Sequence, residues 1–102
     1  MTSFNNMCYR LAKQIPRGKV STYKAIAHAL GTNAYRAVGN AMHNNPFAPS
    51  VPCHRVVKSN GNVGGFANGT KKKIELLRSE GVDIKDGKID LVRFLYNNFY
   101  KP

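Results

Sequence analysis

Two short amphipathic patterns on either side of Gly31-Thr32-Asn33 constrain the fold more than any other feature of the sequence. Two short helices joined by a three-residue turn containing glycine predict a helix-turn-helix. A plain helical hairpin inside a bundle is the alternative interpretation. The predicted apolar faces, at helical spacing, are Tyr23, Ile26, Ala27 and Leu30 in the first helix and Ala34, Ala37, Val38 and Ala41, with Met42 beside them, in the second.

The opposite face of the second helix is small and polar, with one long side chain. Such a face allows the helix to approach DNA closely. Ser21 or Thr22 is the expected N-cap of the first helix, and Gly31 the expected stop. The polar face comprises Arg36, Gly39, Asn40 and His43.

The remaining patterns predict three further elements and a tail. A helix is expected over residues 3–14, with Phe4, Met7, Cys8 and Leu11 on its buried face, and another over residues 70–80, ended by Gly81. Residues 82–84 and 89–91 flank a Lys-Asp-Gly-Lys turn, which predicts a hairpin that would be a wing. Arg93 to Tyr100 should form a short helix or tail. The predicted fold class is therefore mostly α with a small β component, a winged helix-turn-helix in one domain over residues 1–102.

Charge is distributed unevenly along the chain. The protein has 16 Lys and Arg against 5 Asp and Glu, and every acidic residue lies after position 74. Such a basic stretch indicates a polyanion-binding surface, and nucleic acid is the favoured partner. A membrane surface is disfavoured because the basic residues form no single amphipathic stripe, and a generally basic soluble protein is the remaining alternative. The N-terminus lacks a signal-peptide pattern and no apolar run could span a membrane, so an intracellular protein, cytoplasmic or nuclear, is expected.

The heptapeptide VPCHRVV places Cys53 beside His54, and this pair allows three interpretations. A zinc site is disfavoured, because the Cys and His residues have no standard ligand spacing, and no metal is expected. A plain buried cysteine remains possible on local grounds. A thiolate nucleophile needs a base, for which His54 is the candidate, and an orienting group, for which Glu80 is the candidate. Pro46, Pro49 and Pro52 favour an extended backbone leading into Cys53, where neighbouring side chains point apart, so a water would have to bridge the pair.

Several blocks together carry a specific resemblance. IPRGKVSTYKAIAHALG, YRAVGNAM, HNNP, PCHRVV, GGFANG and LLRSEG occur in this order between Ile15 and Gly81. They resemble the O6-alkylguanine-DNA alkyltransferases, also called methylated-DNA–protein-cysteine methyltransferases. The resemblance implies direct repair of duplex DNA containing O6-alkylguanine, and possibly O4-alkylthymine, by a monomer that needs no cofactor. It also implies minor-groove binding, base flipping and one irreversible transfer to the protein's own cysteine.

The resemblance also implies roles for individual residues. Cys53 would accept the alkyl group, His54 would remove its proton through a water, and Glu80 would orient His54. Asn45 would be the hinge after the recognition helix. In the helix-turn-helix, Arg36 would fill the gap left by the flipped base, Tyr23 would contact the base or the rotating phosphate, and Gly39 and Asn40 would form the DNA-facing surface of the second helix. The backbone of Val56 and Ala67 would line the guanine pocket, with Lys73 near its edge. Ser59 would contact a phosphate.

The sequence departs from the family pattern in three ways. The usual N-terminal domain is absent, so a partner protein could replace it. Phe66 and Asn68 stand where the family often has Tyr and Gly, which affects the pocket. The short length resembles the non-catalytic alkyltransferase-like proteins, sensors of alkylated DNA, but those characteristically carry Trp in place of the acceptor cysteine. A winged-helix transcription factor is a remote alternative that would need more base-reading side chains.

Overall fold

The computed structural model describes residues 3–64 and 69–100. Within those residues the chain is mostly helical, with one two-stranded sheet, which confirms the predicted fold class. The elements are α1 (Phe4–Ala12), β1 (Ser21–Thr22), α2 (Tyr23–Ala29), α3 (Tyr35–His43), a 3-10 turn (Cys53–Arg55), β2 (Val56–Val57), α4 (Thr70–Ser79) and α5 (Leu91–Phe94).

Side-chain caps define where three of the helices begin. The Ser3 hydroxyl accepts a hydrogen bond from the Asn6 amide at 3.1 Å, so α1 begins one residue later than its predicted start. The Thr22 hydroxyl accepts from the Ala25 amide at 2.9 Å, and Thr22 is therefore the N-cap of α2. Asp90 caps α5 in the same way, through the Val92 amide. Each cap satisfies an amide that has no partner within its helix.

The turn between α2 and α3 has the geometry expected of a helix-turn-helix. Gly31 has a φ of +75°, a conformation that glycine adopts without strain. Its amide donates to the His28 carbonyl at 2.9 Å, and the Thr32 amide donates to the Ala27 carbonyl at 3.0 Å. These two bonds form a Schellman motif, which ends α2 and redirects the chain into α3. The helix-turn-helix prediction is confirmed.

The apolar face of α3 is narrower than predicted. Val38, Ala41 and Met42 are buried, as expected. Ala37 is only partly buried, and Ala34 is exposed. Ala34 precedes the helix with a non-helical backbone, so it cannot continue the periodic face.

The parallel pair of β1 and β2 lies between two clusters of buried residues. Ser21 pairs with Val56, and Thr22 pairs with Val57. Successive strand residues point to opposite faces, so Val56 enters one cluster and Val57 the other. The first cluster joins α1, α2, α3 and the segment around Cys53. The second cluster joins α4, α5 and the chain from residue 82 to 89.

The predicted extended segment before Cys53 is wrong. Residues 46–50 form turns, and Cys53 begins one turn of 3-10 helix. The Val51 amide donates to the Phe47 carbonyl at 3.0 Å, and the Arg55 amide donates to the Pro52 carbonyl at 2.9 Å. The prolines exclude a long helix here, but they allow tight turns in which backbone carbonyl groups accept hydrogen bonds from later amides.

The predicted wing hairpin is also wrong in its strands. Lys85 and Lys88 form one antiparallel bridge, but residues 82–84 and 89–91 do not pair as strands. The backbone of the second half pairs elsewhere: the Ile89 amide donates to the Gly61 carbonyl at 2.8 Å, and the Gly87 carbonyl accepts from Val63 at 3.0 Å. Leu91 then begins α5. The predicted turn at residues 85–88 is therefore present, but in place of flanking strands it packs against the turn at residues 58–62.

The C-terminal segment, predicted to be a short helix or a tail, consists of a short helix followed by a tail. Helix α5 ends at Phe94, and the chain continues beside Val20. Val20 donates to the Phe94 carbonyl at 3.0 Å and accepts from the Tyr96 amide at 2.7 Å. The tail is thus fixed to the residue that precedes β1, next to the start of the helix-turn-helix.

Leu77 on α4 gives a direct test of the second cluster, because its side chain is fully buried there. Leu77→Ala should lower the free energy of unfolding by about 3 kcal/mol, the usual cost of a leucine-sized core deletion. Val92 is 99% exposed on α5 and offers a control. Val92→Ala should change stability by less than about 0.5 kcal/mol. Urea titration of both variants makes the measurement, and equal losses would contradict the described core.

Candidate functional site

The 3-10 turn presents two adjacent side chains in a nearly buried position. Cys53 is 7% exposed and His54 is 5% exposed. With about three residues per turn, neighbouring side chains lie about a third of a turn apart rather than on opposite faces as in a strand. Cys53 and His54 can therefore both border one small space.

His54 contacts Glu80, which follows the last turn of α4. The distance from His54 Nε2 to Glu80 Oε2 is 3.1 Å. Burial raises the pKa of Glu80, but hydrogen bonds from Arg55 and His54 outweigh this effect and lower the pKa below its ordinary value. An ionised carboxylate only accepts hydrogen bonds, so Nε2 of His54 carries the proton. In the neutral ring, Nδ1 then has the free lone pair.

The environment of His54 favours that neutral ring. Burial lowers the pKa of His54, contact with Glu80 partly offsets this, and the positive charges of Arg55 and Lys73 lower it further. The net pKa lies below the ordinary value of 6.5. Near neutral pH the imidazole is therefore a base rather than a cation.

Arg55 is a member of this cluster that the sequence analysis missed. Its Nε donates to Glu80 Oε1 at 2.9 Å, and one terminal nitrogen donates to Oε2 at 2.7 Å. The other terminal nitrogen donates to the Ile15 carbonyl at 2.9 Å. This two-point contact fixes the plane of the Glu80 carboxylate and directs Oε2 to His54. The sequence did contain a signal, an arginine followed directly by two valines. This pattern indicates a partly buried guanidinium, which needs a carboxylate partner.

Lys73 on α4 is fully buried. Its Nζ donates to the Val56 carbonyl at 2.8 Å and lies 5.8 Å from the centre of the Tyr23 ring. Burial lowers the pKa of Lys73 to about 8; attraction to Cys53 opposes this shift, and repulsion from Lys58 adds to it. Burial also raises the pKa of Tyr23, with a smaller contribution from Cys53. These shifts place Lys73 and Tyr23 in the electrostatic surroundings of the cysteine.

Asn45 connects the end of α3 to the segment that leads to Cys53. Its side-chain nitrogen donates to the Val51 carbonyl at 2.9 Å, and its side-chain oxygen accepts from the Phe47 amide at 2.9 Å. The side chain therefore determines the path of the turns between α3 and the cysteine.

A cavity of about 470 Å³ lies between α2, α3 and the turn after β2. It brings together Tyr23, Arg36, Gly39 and Ser59 of the predicted DNA contacts. Asn40 is exposed on α3 outside the lining, and Val56 and Lys73 are buried. Ala67, with Phe66 and Asn68, lies outside the described residues. The lining includes four residues that the sequence analysis missed: Lys24, Tyr35, Lys58 and Asn60.

The second cysteine belongs to the core, as predicted. Cys8 is fully buried on α1, and burial raises the pKa of its thiol to about 11. Over residues 3–64 and 69–100 no three His, Cys, Asp or Glu side chains are grouped as metal ligands would be. None of the helices in that same part of the chain is long and apolar enough to cross a membrane.

Comparison with known sequences identifies one family. The model for the DNA-binding domain of 6-O-methylguanine DNA methyltransferase matches residues 3–82. A methylated-DNA–protein-cysteine methyltransferase of Saccharolobus solfataricus is 47% identical over 81% of this chain and 54% of its own length. A bifunctional methyltransferase/endonuclease of Picrophilus torridus is 44% identical over 89% of this chain and 31% of its own. The chain thus spans about half, or less, of the length of these relatives.

Solved structures give the same result. Schizosaccharomyces pombe Atl1, bound to damaged DNA containing O6-carboxymethylguanine, matches with a TM-score of 0.84 and 32% identity over 94% of this chain and 96% of that one. The O6-methylguanine-DNA methyltransferase of Pyrococcus kodakaraensis matches with a TM-score of 0.71 and 46% identity, covering 80% of this chain and 48% of that one. Both matches include the helix-turn-helix.

The Glu80 cluster predicts a pH-dependent stability. Glu80→Gln should lower the free energy of unfolding by about 3 kcal/mol near neutral pH, because Arg55 loses the charge that compensates it. The pKa of Glu80 is lowered in the fold, so its stabilisation is complete above its ordinary value of 4.5 and is lost as pH falls through the lower folded value. The difference between the variant and the original protein should therefore shrink in acid.

Urea unfolding at neutral and acidic pH measures this difference. Glu75→Gln is the matched control, because Glu75 is an exposed acid on the same helix. A Glu80→Gln penalty that does not change with pH would show that the carboxylate charge is not what stabilises this cluster.

Proposed function

Because the chain belongs to the 6-O-methylguanine DNA methyltransferase family, we propose that it repairs alkylated DNA directly, by moving the alkyl group of O6-alkylguanine to Cys53. Each molecule would react once, as a methylated-DNA–protein-cysteine methyltransferase. The observation that carries the proposal is the nearly buried Cys53 beside a histidine that an ionised carboxylate orients. A thiolate that displaces an alkyl group needs no cofactor, since the cysteine itself is the acceptor.

The tautomer of His54 supports a route for the proton. Nε2 is engaged with Glu80, so Nδ1 is the atom that would receive the thiol proton. Because Cys53 and His54 are neighbours in one 3-10 turn, we propose that a water carries the proton between them. Glu80 and Arg55 would not touch the substrate; they would orient the ring and stabilise the imidazolium that forms.

The transfer step itself is one displacement. The Cys53 sulfur attacks the alkyl carbon, the sulfur–carbon bond forms, and the bond from that carbon to guanine O6 breaks. The bonding electrons go to the base, which takes up a proton and becomes ordinary guanine. Tyr23 is the hydroxyl-bearing side chain of the cavity whose surroundings include Cys53, so we propose that it contacts the base at this stage.

The base would need to leave the duplex to reach the sulfur. We propose that Arg36 on α3 enters the space left by the flipped base, while Gly39 and Asn40 allow the helix to lie close to the minor groove. The Val56 carbonyl already accepts from Lys73, but a carbonyl has a second lone pair that could accept from the base. Ser59, with Lys24 and Lys58 nearby, would contact phosphates.

The chain's charge fits a DNA substrate of any sequence. Its net charge is +11, and no acidic residue occurs before Glu75. Phosphate contacts give affinity without sequence preference, which a repair protein requires. We propose that residues 1–102 act as one active-site domain and bind as a monomer. A location inside the cell with the DNA belongs to the same proposal.

A second candidate function rests on the match to Atl1, which covers 96% of that chain. Under this alternative the protein would recognise alkylated DNA without reacting and would recruit other repair. We favour chemistry because this chain has a cysteine at position 53, beside the oriented His54.

Intact-mass measurement after incubation with a duplex containing O6-methylguanine separates the two candidates. Transfer predicts one added methyl group, located on Cys53 by peptide mapping. Cys53→Ser should bind the same duplex and gain no mass. Lesion-selective binding by folded protein, with no mass gain, would support the sensor and contradict the transferase.

Arg36→Ala should slow transfer from duplex DNA roughly tenfold and have a smaller effect on single-stranded substrate. Flipping costs a few kcal/mol only where a base pair must be opened. Lys85→Ala removes an exposed cation outside the cavity and should affect neither rate. Single-turnover rates on both substrates make the comparison, and equal losses on the two would contradict the proposed role of Arg36.

Arg55 should control the pH dependence of transfer. The rate should fall as pH drops through the lowered pKa of His54, because the protonated ring cannot accept a proton. Arg55→Met removes a positive charge that lowers this pKa, so the acid limb of the profile should move to higher pH. Arg55→Lys should give a smaller shift.

Arg17→Met is the control, because Arg17 donates to the Ser79 carbonyl next to Glu80 without touching the carboxylate. It should leave the profile in place. Rates are normalised to folded protein by circular dichroism. A uniform loss for Arg55→Met at every pH would indicate a purely structural role.

A further inference from the structure

A second groove, distinct from the cavity between α2, α3 and the turn after β2, lies between α1 and residues 47–51. Its volume is about 650 Å³. No role proposed above for the lesion or the thiol uses it. Its lining comprises Asn6, Tyr9, Arg10, Lys13, Phe47, Ala48, Ser50 and Val51.

An exposed aromatic ring lies in this groove. Phe47 is 53% exposed, which is unusual for so large an apolar side chain. Its ring meets that of Tyr9 edge to face, with centroids 5.8 Å apart. Tyr9 is itself buried, and its hydroxyl donates to the Ala41 carbonyl at 2.9 Å. The exposed ring therefore rests on a fixed one and is held in position for stacking.

The groove also carries positive charge. Arg10 on α1 and Lys13, which directly follows the helix with a helical backbone, are both exposed. They are three residues apart and therefore lie on the same face. In the described part of the chain neither forms an ion pair. The first 74 residues include no Asp or Glu, so no acidic side chain near them in the sequence offsets these two charges. The local charge thus suits a polyanion.

The groove and the other cavity lie near opposite ends of α3. Phe47 follows the C-terminal end of α3, whereas Arg36 and the other cavity lie at its N-terminal end. At 1.5 Å per residue, the ends of this nine-residue helix are roughly 12 Å apart. Both concave surfaces can therefore be occupied at the same time.

We propose that this groove binds an unpaired nucleic-acid strand. One base stacks on Phe47, and the phosphates next to it contact Arg10 and Lys13. An unpaired strand is favoured over a duplex because the base faces of a duplex are already covered by stacked neighbours, whereas an exposed aromatic ring beside cations is the arrangement that single strands use. The inference goes beyond the proposed repair activity and does not depend on the reaction of Cys53.

Fluorescence anisotropy with a labelled oligothymidylate tests the groove directly. Phe47→Ala should weaken binding about tenfold, within the range reported for loss of one base–aromatic stack. Phe47→Leu retains apolar packing against Tyr9 and should weaken binding nearly as much, which separates stacking from folding. Arg10→Gln with Lys13→Gln should reduce the slope of log affinity against log salt by about 1.4 for two phosphate contacts.

Matched controls come from exposed residues between positions 85 and 92, none of which lines the groove. Lys85→Gln with Lys88→Gln makes the same charge change at exposed lysines, and Val92→Ala shortens an exposed apolar side chain. Both should leave oligothymidylate binding within twofold of the original protein. Binding of a lesion-containing duplex should change less than twofold in Phe47→Ala, because that contact uses α3 and the other cavity.

Two results would overturn the proposal. Unchanged oligothymidylate binding in the groove variants would leave the groove to another occupant, such as a protein partner. Equal weakening of single-strand and duplex binding would make the groove part of the duplex surface. Neither result bears on methyl transfer to Cys53, which the mass measurement tests separately.

Discussion

The site depends on the contact of Glu80 with His54 and Arg55, two donors in the 3-10 turn that begins at Cys53. Arg55 contacts both carboxylate oxygens and also the Ile15 carbonyl, while His54 contacts one of the two oxygens. The Glu80–Arg55 pair therefore connects the end of α4, the turn after α1 and the 3-10 turn of the cysteine. A nearly buried carboxylate is costly without such partners, so the cluster stabilises the fold only when it is complete.

The same arrangement determines which nitrogen of His54 can accept a proton in the proposed reaction. An ionised Glu80 fixes the proton of His54 on Nε2, and burial with neighbouring cations keeps the ring neutral. Nδ1 is then available to take the thiol proton. The helix-turn-helix contributes separately, because α3 carries Arg36 to the cavity, and Asn45 connects the end of α3 to the turns before Cys53. The proposed DNA contacts and the proposed chemistry would thus be linked through the two hydrogen bonds of the Asn45 side chain.

Much of this could be predicted from the sequence where short-range patterns decide the outcome. Thr22 capping α2, Gly31 ending it and the buried Cys8 all follow from local spacing and turn chemistry. The predicted strands of the wing hairpin were wrong because the backbone of Gly87 and Ile89 pairs with residues 61–63, a choice made by tertiary contacts. Arg55 was missed because its partners, Glu80 and Ile15, lie 25 and 40 residues away in the sequence. The roles of the DNA-contacting residues remain proposals.

The tautomer of His54 is the most direct test of the central claim, and long-range nitrogen–proton correlation spectra of the labelled imidazole can measure it. The expected result is a neutral ring near pH 7, protonated on Nε2 and unprotonated on Nδ1. The signals would be assigned with a His54→Gln variant, and Glu80→Gln should weaken the preference for this tautomer. A ring protonated on Nδ1, or on both nitrogens, would contradict the account, because no lone pair would then be available to the thiol.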